Sequence, residues 1–250
     1  MAPHAEIPNG YTNGSVIAAP PEKREPLFTV DSPNVEYTDK EIKSQYIYRT
    51  TAVSKTGEKY TATPKETVYD FKVERKVGKI GLMMVGWGGN NGSTVTAGII
   101  ANRRGLVWET REGPRAANYY GSVVMASTMK LGNDSKTGEE INIPFHNVLP
   151  MAHPNDLVVG GWDISGFTIA QAADRANVLE PTLKHLVKKE LSQMKPLPSI
   201  YYPDFIAANQ GDRADNLIKG DKASTAHVEH LRKDIRYAPF HWYPALDIDI

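Results

Sequence analysis

The chain has 250 residues, of which 40% are hydrophobic and 23% charged, a composition typical of a soluble globular protein. Its formal net charge is zero, so nothing favours a nucleic acid or an anionic membrane as a partner, and the absence of cysteine excludes disulfides and thiolate metal sites. No apolar run approaches the roughly 18 residues of a membrane span, and the N-terminus lacks the apolar core of a signal peptide, which predicts a cytoplasmic protein.

The N-terminal part divides into a tail and a β-rich region. Residues 1–30 are rich in Pro, Gly, Asn and Ala without periodicity, which predicts a flexible tail. Residues 31–76 predict a β-rich extension, because short β-prone pieces are separated there by glycine, proline and charged residues. The β-prone pieces, the first of which begins at the end of the tail, are Leu27–Val30, Tyr46–Val53, Tyr60–Thr63 and Val68–Val73.

The most informative stretch is KIGLMMVGWGGNNGST, residues Lys79–Thr94. Its apolar first half predicts a buried parallel strand, and glycines follow at once. Ser93 or Thr94 is a candidate cap for the helix that comes next. A strand, a glycine-rich turn and a helix N-terminus together make a cradle for phosphate, because backbone N–H groups and the helix dipole face the anion.

The glycine spacing departs from the standard dinucleotide fingerprint, since Asn91 holds the place of its third glycine. A tight strand-to-helix turn without any ligand is therefore the alternative interpretation. Asn90 and Asn91 favour a ligand, because both tolerate left-handed backbone and carry amides that bond ribose or phosphate oxygens.

Further strands and helices alternate after this motif, which predicts a parallel sheet with right-handed crossovers. Ligands bind at the carboxyl ends of such strands, where the glycine turn, Asp163 and the polar residues 209–216 should meet. The predicted elements are the strands Leu106–Thr110 and Asp156–Ile164, the helices Phe167–Leu179, Pro181–Met194 and Ala226–Tyr237, and an apolar segment Ser199–Ala208.

Three motifs resemble the N-terminal part of the myo-inositol-1-phosphate synthase family: GWGGNNGST (Gly86–Thr94), PNDLVVGGWDI (Pro154–Ile164) and KPLPSIYYPDFIAANQ (Lys195–Gln210). The resemblance implies an α/β fold with a Rossmann-like NAD-binding parallel sheet and helices on both faces. It also implies a cytosolic, homotetrameric, NAD-dependent isomerase of inositol and phospholipid biosynthesis. Such an enzyme converts glucose 6-phosphate to inositol 3-phosphate by oxidation at C5, enolisation, aldol cyclisation and reduction.

The resemblance also implies which residues bind the cofactor NAD. One loop matches the pyrophosphate loop of the family, one acid matches a cofactor contact, and three later residues match further cofactor-side positions. The residues are Gly88, Gly89, Asn90 and Asn91 in the loop, then Asp163, and then Ser199, Gln210 and Arg213. No metal ligand and no catalytic residue are predicted in this chain, because the family carries its catalytic lysines in a central domain.

The predicted domains are an incomplete NAD-binding domain over residues 77–237 and a divergent tail over residues 238–250. After Arg236 the sequence YAPFHWYPALDIDI no longer resembles the family, so the central catalytic and tetramerisation domain is expected to be absent. We therefore expect the chain alone to be poorly soluble or partly unfolded and without turnover. A catalytically inactive NAD-binding fragment is the alternative function, and a dehydrogenase-like oxidoreductase fits the glycine turn alone.

Several candidates have a plainer interpretation. Asp163 could cap the turn that follows it, and Arg213 could belong to a surface charge cluster with its acidic neighbours. Glu109 stands near the place of the acid that binds ribose in standard dinucleotide folds, but it is also typical of a surface charge. His227 and His230 lie one helical turn apart, and with one carboxylate between them they are typical of a solvated helix face rather than a metal site.

Overall fold

The computed structural model of the protein describes residues 28–78, 80–205, 208–222 and 224–242. The described residues form two compact units, and each unit is built there from two stretches of sequence. Among the described residues, the first unit contains 80–119 and the residues from 153 onward, and the second contains 28–78 and 120–152. Most of the predicted flexible tail and most of the predicted divergent tail lie outside the described residues.

The described part of the chain has ten strands and five α-helices. The strands are β1 (Val35–Tyr37), β2 (Glu41–Thr56), β3 (Lys59–Glu74), β4 (Ile80–Val85), β5 (Val107–Thr110), β6 (Gly113–Ala116), β7 (Thr128–Asn133), β8 (Glu140–Pro144), β9 (Leu157–Asp163) and β10 (Leu197–Pro198). The α-helices are α1 (Asn90–Arg103), α2 (Val123–Ala126), α3 (Ile169–Ala176), α4 (Pro181–Gln193) and α5 (Thr225–Trp242).

A parallel sheet with the strand order β10-β9-β4 belongs to the first unit. Its middle strand, β9, is buried from Val158 to Asp163, as the unbroken apolar run predicts for a strand that is covered on both faces. The parallel α/β fold predicted from the sequence is therefore confirmed. The predicted burial of β4 is wrong: none of its residues is buried, and Val85, its last residue, is 85% exposed, because the described residues do not cover this edge of the sheet as they cover β9.

Helices α1, α3 and α4 pack through one buried apolar cluster in the first unit, to which Trp87, Ile100, Ile169 and Val187 belong. The helix predicted over Phe167–Leu179 is shorter in the structure for a local reason. Thr168 and Gln171 form a capping box at its start, and Asn177 ends it in the left-handed conformation (φ 49°). Helix α4 begins at Pro181, as predicted from the fixed φ of proline.

The strand predicted over Leu106–Thr110 exists, but its predicted place in the parallel sheet is wrong. Strand β5 pairs antiparallel with β6 in a separate two-stranded sheet. The reason is the turn that follows it, where Gly113 adopts a positive φ of 105° and its carbonyl accepts a hydrogen bond from the Thr110 hydroxyl (2.7 Å). This local turn returns the chain before it can cross over to a parallel neighbour.

The second unit contains a long hairpin and a short one. Strands β2 and β3 pair antiparallel over 16 residues each, and β1 adds to β2. The sequence predicts two separate β-prone pieces on either side of Pro64. Strand β3 instead continues through Pro64, because an edge strand tolerates a missing N–H. Strands β7 and β8 form the shorter hairpin.

The compact units divide the chain differently from the predicted domains. Residues 120–152 were predicted inside the NAD-binding domain, and the structure groups them with the β-rich residues 28–78 instead. Their strands β7 and β8 pair with each other and do not join the parallel sheet. Helix α5 runs to Trp242, beyond the predicted start of the divergent tail at residue 238. No helix among the described residues is long and apolar enough to cross a membrane.

Candidate functional site

The glycine turn connects β4 directly to α1. Gly86 has a φ of 82°, and its carbonyl accepts a hydrogen bond from the Gly89 N–H (2.8 Å). The helix begins at Asn90 with Gly89 as its N-cap, so the predicted caps Ser93 and Thr94 are wrong. The Ser93 hydroxyl instead donates back to the Gly89 carbonyl (2.9 Å), because it already lies within the first helical turn.

This helix start carries no side-chain cap. The first N–H groups of α1 therefore have no partner within the helix, and the positive end of its dipole lies at the turn. Asn90 and Asn91 are exposed there, and their side chains make no hydrogen bond within the described residues. Free donors at a helix start are the physical requirement for binding a phosphate.

Buried contacts fix the shape of the turn. The Trp87 indole is fully buried and donates to Thr96 Oγ1 (2.8 Å), and that hydroxyl donates to the Gly92 carbonyl (2.7 Å). A Cβ at Gly92 would lie 2.3 Å from the Trp87 carbonyl oxygen, so only glycine fits there. A Cβ at Gly88 would lie 3.1 Å from the Asp163 carboxyl carbon. The turn is therefore held in place before any ligand binds.

Asp163 ends β9 beside this turn and is 1% exposed. Its Oδ1 accepts hydrogen bonds from the Ser165 backbone N–H (2.9 Å) and from Arg213 Nη1 (3.3 Å). Its Oδ2 is buried and accepts no hydrogen bond within the described residues. The capping interpretation is thus correct for one oxygen, and the other oxygen is left for a further donor.

The polar residues 209–216 reach the same sheet edge. Asn216 holds them there, because its side-chain amide donates to the carbonyls of Asp163 (3.0 Å) and Leu197 (3.1 Å). Gln210 orients Arg213 by accepting from its Nε (2.5 Å). The structure thereby brings together the glycine turn, Asp163 and this segment, as the strand-end argument predicted.

Ser199 follows β10 directly, and Pro198 pairs with Asp163 across the sheet. Its backbone N–H donates to the Asn216 carbonyl (3.0 Å), and its carbonyl accepts from the Ile218 N–H (2.9 Å). These bonds place Ser199 at the carboxyl end of the sheet with the other predicted residues. Its contact with a cofactor stays a prediction, as it does for the whole predicted set.

One residue beside the glycine turn was not predicted from the sequence. Arg175, in the last turn of α3, donates from Nη2 to the Gly88 carbonyl (2.5 Å). Partial burial lowers the pKa of Arg175, the positive charge of Arg213 lowers it further, and Asp163 opposes both effects. The only signal in the sequence is a basic residue near a helix end, which is too common to mark a site.

The remaining candidates lie elsewhere. Glu109 is exposed in β5, opposite Pro114 of the β5–β6 hairpin. The predicted solvated helix face is wrong for His227, which is buried with its Nδ1 3.0 Å from the Tyr202 hydroxyl. His230 is exposed and lies 3.8 Å from Asp234. Within the described ranges, no group of three His, Asp or Glu side chains is arranged to hold a metal ion.

The residues at the sheet edge fit the NAD predicted from the sequence. Gly88 leaves a space that a Cβ would fill against Asp163, and the buried Oδ2 of Asp163 still lacks a donor. The uncapped start of α1 presents N–H groups to a pyrophosphate, and a hydroxyl of a ribose is a suitable donor to a carboxylate. A bound dinucleotide would therefore satisfy groups that the described chain leaves unsatisfied.

Comparison with known proteins gives one consistent result. The family model described as "NAD_binding_5: Myo-inositol-1-phosphate synthase" matches residues 80–240. Inositol-3-phosphate synthase isozyme 2 of Arabidopsis thaliana is 50% identical over 213 residues, which cover 84% of this chain and 41% of that protein. Inositol-3-phosphate synthase 1 of Homo sapiens is 49% identical over 209 residues, with coverages of 84% and 37%.

A solved structure is similar as well. The crystal structure of inositol-3-phosphate synthase from Caenorhabditis elegans matches with a TM-score of 0.77 and 45% identity. The match covers 86% of this chain and 42% of that chain. The chain therefore spans about two fifths of the length of the relatives that it matches.

Proposed function

The chain belongs to the myo-inositol-1-phosphate synthase family, and from that premise we propose that it is the NAD-binding part of an inositol-3-phosphate synthase. The family predicted from the three sequence motifs is confirmed, and so is NAD as the cofactor of that family. The proposed reaction converts glucose 6-phosphate to inositol 3-phosphate. It is an isomerisation, so the cofactor must leave each cycle in the oxidation state in which it entered.

One observation carries the proposal: an uncapped helix start and a half-satisfied buried carboxylate lie on either side of the same glycine. A Cβ at Gly88 would lie 3.1 Å from the carboxyl carbon of Asp163, and α1 begins two residues after Gly88. Phosphate and ribose are neighbours in a dinucleotide, so a site for NAD needs a donor surface and an acceptor at close range. A tight turn without a ligand needs neither.

The predicted residues would bind different parts of the cofactor. Of the turn residues, Gly88, Asn90 and Asn91 would donate backbone and amide N–H groups to the pyrophosphate. Gly89, whose N–H is bonded to the Gly86 carbonyl, would let the phosphate approach the helix start. Asp163 would accept from ribose hydroxyls through Oδ2, and Arg213, held by Gln210, would balance the carboxylate charge. Bound NAD supplies reversible oxidation and reduction at a carbon of the substrate.

The finer parts of the proposal come from the family resemblance alone. They are a homotetramer, a cytoplasmic location and a role in supplying inositol for phospholipid synthesis. We assign no catalytic residue among the described ones, because the site described above holds groups for binding and orienting a cofactor. The groups that stabilise an enolate would be cations close to the substrate.

The cofactor site is tested by titrating the purified protein with NAD in a calorimeter. Gly88→Val and Gly89→Val should abolish binding, because a side chain at either position occupies the space of the phosphate or of neighbouring backbone. Gly98→Ala is the control, since Gly98 lies in helix α1 and a Cβ there meets nothing within 4 Å. Wild-type affinity in the two valine variants would contradict the proposed site.

The reaction is tested by measuring inositol phosphate formed from glucose 6-phosphate in the presence of NAD. Turnover by the purified chain supports the synthase and places catalytic groups within the 250 residues. NAD binding without turnover supports the alternative, a catalytically inactive NAD-binding protein. The two measurements are independent, so the cofactor site and the activity are judged separately.

A further inference from the structure

Arg175 connects helix α3 to the glycine turn across 87 residues of sequence. Its Nη2 donates to the carbonyl of Gly88, the residue whose α-carbon faces Asp163. The Gly88 carbonyl and the Gly89 N–H belong to one planar peptide, and that N–H donates to the Gly86 carbonyl (2.8 Å). The hydrogen bond from Arg175 therefore helps to fix the turn that precedes the N–H groups at the start of α1.

The charge of Arg175 has no carboxylate partner within the described residues. It makes no ion pair there, and its guanidinium stacks 5.7 Å from the centre of the Phe167 ring. Arg213 is the second cation of the cluster, and Asp163 is the only acid that contacts it among the described side chains. Asp215 adds a second carboxylate at this sheet edge, where its Oδ1 accepts from the Gly166 N–H (2.7 Å). Arg175 therefore brings to the edge a guanidinium without an ion pair, next to the positive end of a helix dipole.

Arg104 is an arginine with a structural role and serves as a comparison for Arg175. Its Nη1 donates to the Leu186 carbonyl (2.7 Å), and the same nitrogen pairs with the Glu190 carboxylate (2.9 Å). The backbone contact is like that of Arg175, but the charge of Arg104 is neutralised by the protein. Arg175 has no carboxylate at ion-pair distance among the described residues and interacts with Asp163 only at longer range. A cation without an ion pair beside free N–H groups is what an anion site requires.

We propose that Arg175 is a positioning residue of the cofactor site, which fixes the Gly88 carbonyl and holds a guanidinium without an ion pair close enough to attract the pyrophosphate of the dinucleotide. This inference rests on the proposed function. Two consequences follow from it. Affinity for NAD depends on the guanidinium at position 175, and part of the salt dependence of binding originates there, because salt screens the attraction between exposed charges.

The test compares Arg175→Gln, Arg175→Lys and the matched control Arg104→Gln in the full chain. The dissociation constant of NAD is measured at low and high ionic strength, and thermal unfolding is recorded without NAD. Arg175→Gln should weaken NAD binding about 10- to 100-fold and flatten its salt dependence, since charged hydrogen bonds are worth that much. Arg175→Lys should restore the salt dependence and only part of the affinity. Arg104→Gln should bind NAD as the wild type does.

The outcomes separate this inference from the proposed function. A wild-type protein that does not bind NAD overturns both. A wild type that binds NAD, with an Arg175→Gln variant of equal affinity, overturns the inference alone. A loss of affinity with unchanged salt dependence in Arg175→Gln assigns Arg175 a merely structural role and also overturns the inference, whether or not the thermal midpoint falls.

Discussion

The two carboxylate oxygens of Asp163 have different surroundings, and this difference separates two roles of one residue. Oδ1 accepts from Ser165 and Arg213, which is sufficient to shape the turn after β9. Oδ2 is buried without a partner among the described residues, which is costly unless a donor arrives. The residue thus serves the fold with one atom and leaves the other for the proposed ribose contact.

Substitutions at Asp163 distinguish the two roles. Asp163→Asn keeps an acceptor for the Ser165 N–H but loses the charge, whereas Asp163→Ala loses both. If Oδ2 binds ribose, both variants should weaken NAD binding by about 1–3 kcal/mol. Calorimetric titration measures this directly. Wild-type affinity in Asp163→Asn, with a loss only in Asp163→Ala, would leave the capping role alone.

The ionisation of Tyr119 predicts how the stability of the fold changes in alkaline solution. Its hydroxyl donates to Asn155 Oδ1 (2.5 Å), and burial raises its pKa to about 12, against the opposing charge of Arg103. In the unfolded chain a tyrosine ionises near pH 10. The folded state holds the proton longer, so the contribution of Tyr119 to stability is complete below about pH 10 and is lost as the pH rises towards about 12.

The measurement is the tyrosinate absorbance of the wild type against that of Tyr119→Phe during an alkaline titration. The difference between the two curves reports Tyr119 alone. It should rise near pH 12, unless global unfolding exposes the residue earlier and makes the rise abrupt. A smooth difference curve centred near the ordinary tyrosine value would contradict the burial of the hydroxyl.

At the scale of elements, glycine sets how closely the backbone segments of the first unit approach. A Cβ at Gly161 of β9 would lie 2.0 Å from the Met84 carbonyl oxygen of the neighbouring strand. A Cβ at Gly92 would meet the Trp87 carbonyl at 2.3 Å. These approaches join β9 to β4 and α1 to the turn, so the sheet edge that carries the site depends on them.

Gly92→Ala should lower the free energy of unfolding by about 1–3 kcal/mol, because the added methyl forces backbone apart in a packed region. Gly98→Ala is the matched control in the same helix, where open space and the higher helix propensity of alanine predict a stability equal to or above that of the wild type. Urea denaturation gives both values. Equal midpoints for the two variants would contradict this expectation, because the turn would then accommodate a methyl group at Gly92 without loss of stability.

At the scale of the molecule, the proposed cofactor site lies wholly within the first unit. All of its predicted residues fall in the described ranges 80–119 and 153 onward, and none falls in the second unit. The long β2–β3 hairpin belongs to the other unit. Cofactor binding should therefore stabilise the two units to different extents.

Hydrogen exchange with and without NAD tests this expectation. At a concentration 100-fold above its dissociation constant, NAD should add about 2.7 kcal/mol to the stability of the unit that binds it. Slower exchange should appear in the glycine turn and around Asp163 and should be absent from the β2–β3 hairpin. Equal protection of the hairpin would mean that the two units unfold as one.

The sequence alone determined the elements whose signals are local. An apolar run before glycines predicted β4 and the turn, a continuous apolar run predicted β9, and Pro181 marked the start of α4. Long motifs also determined the family, because their residues follow one another in the chain. Local signals also produced errors. The predicted caps Ser93 and Thr94 ignored that Gly89 can start a helix, and the strand of Leu106–Thr110 was assigned to the wrong sheet.

Only the tertiary structure decided which atoms meet at the site. Arg175 and Gly88 are 87 residues apart, and Asp163 and Arg213 are 50 apart, so neither contact leaves a periodic or compositional trace. The sequence placed polar residues at strand ends, and strand order then brought those ends together. It could not show that, among the described residues, one oxygen of Asp163 accepts no hydrogen bond and Arg175 forms no ion pair, because both depend on packing between distant segments. The family and the position of the site at the sheet edge can thus be predicted from the sequence. Which donors and acceptors of the site stay unsatisfied depends on the folded structure.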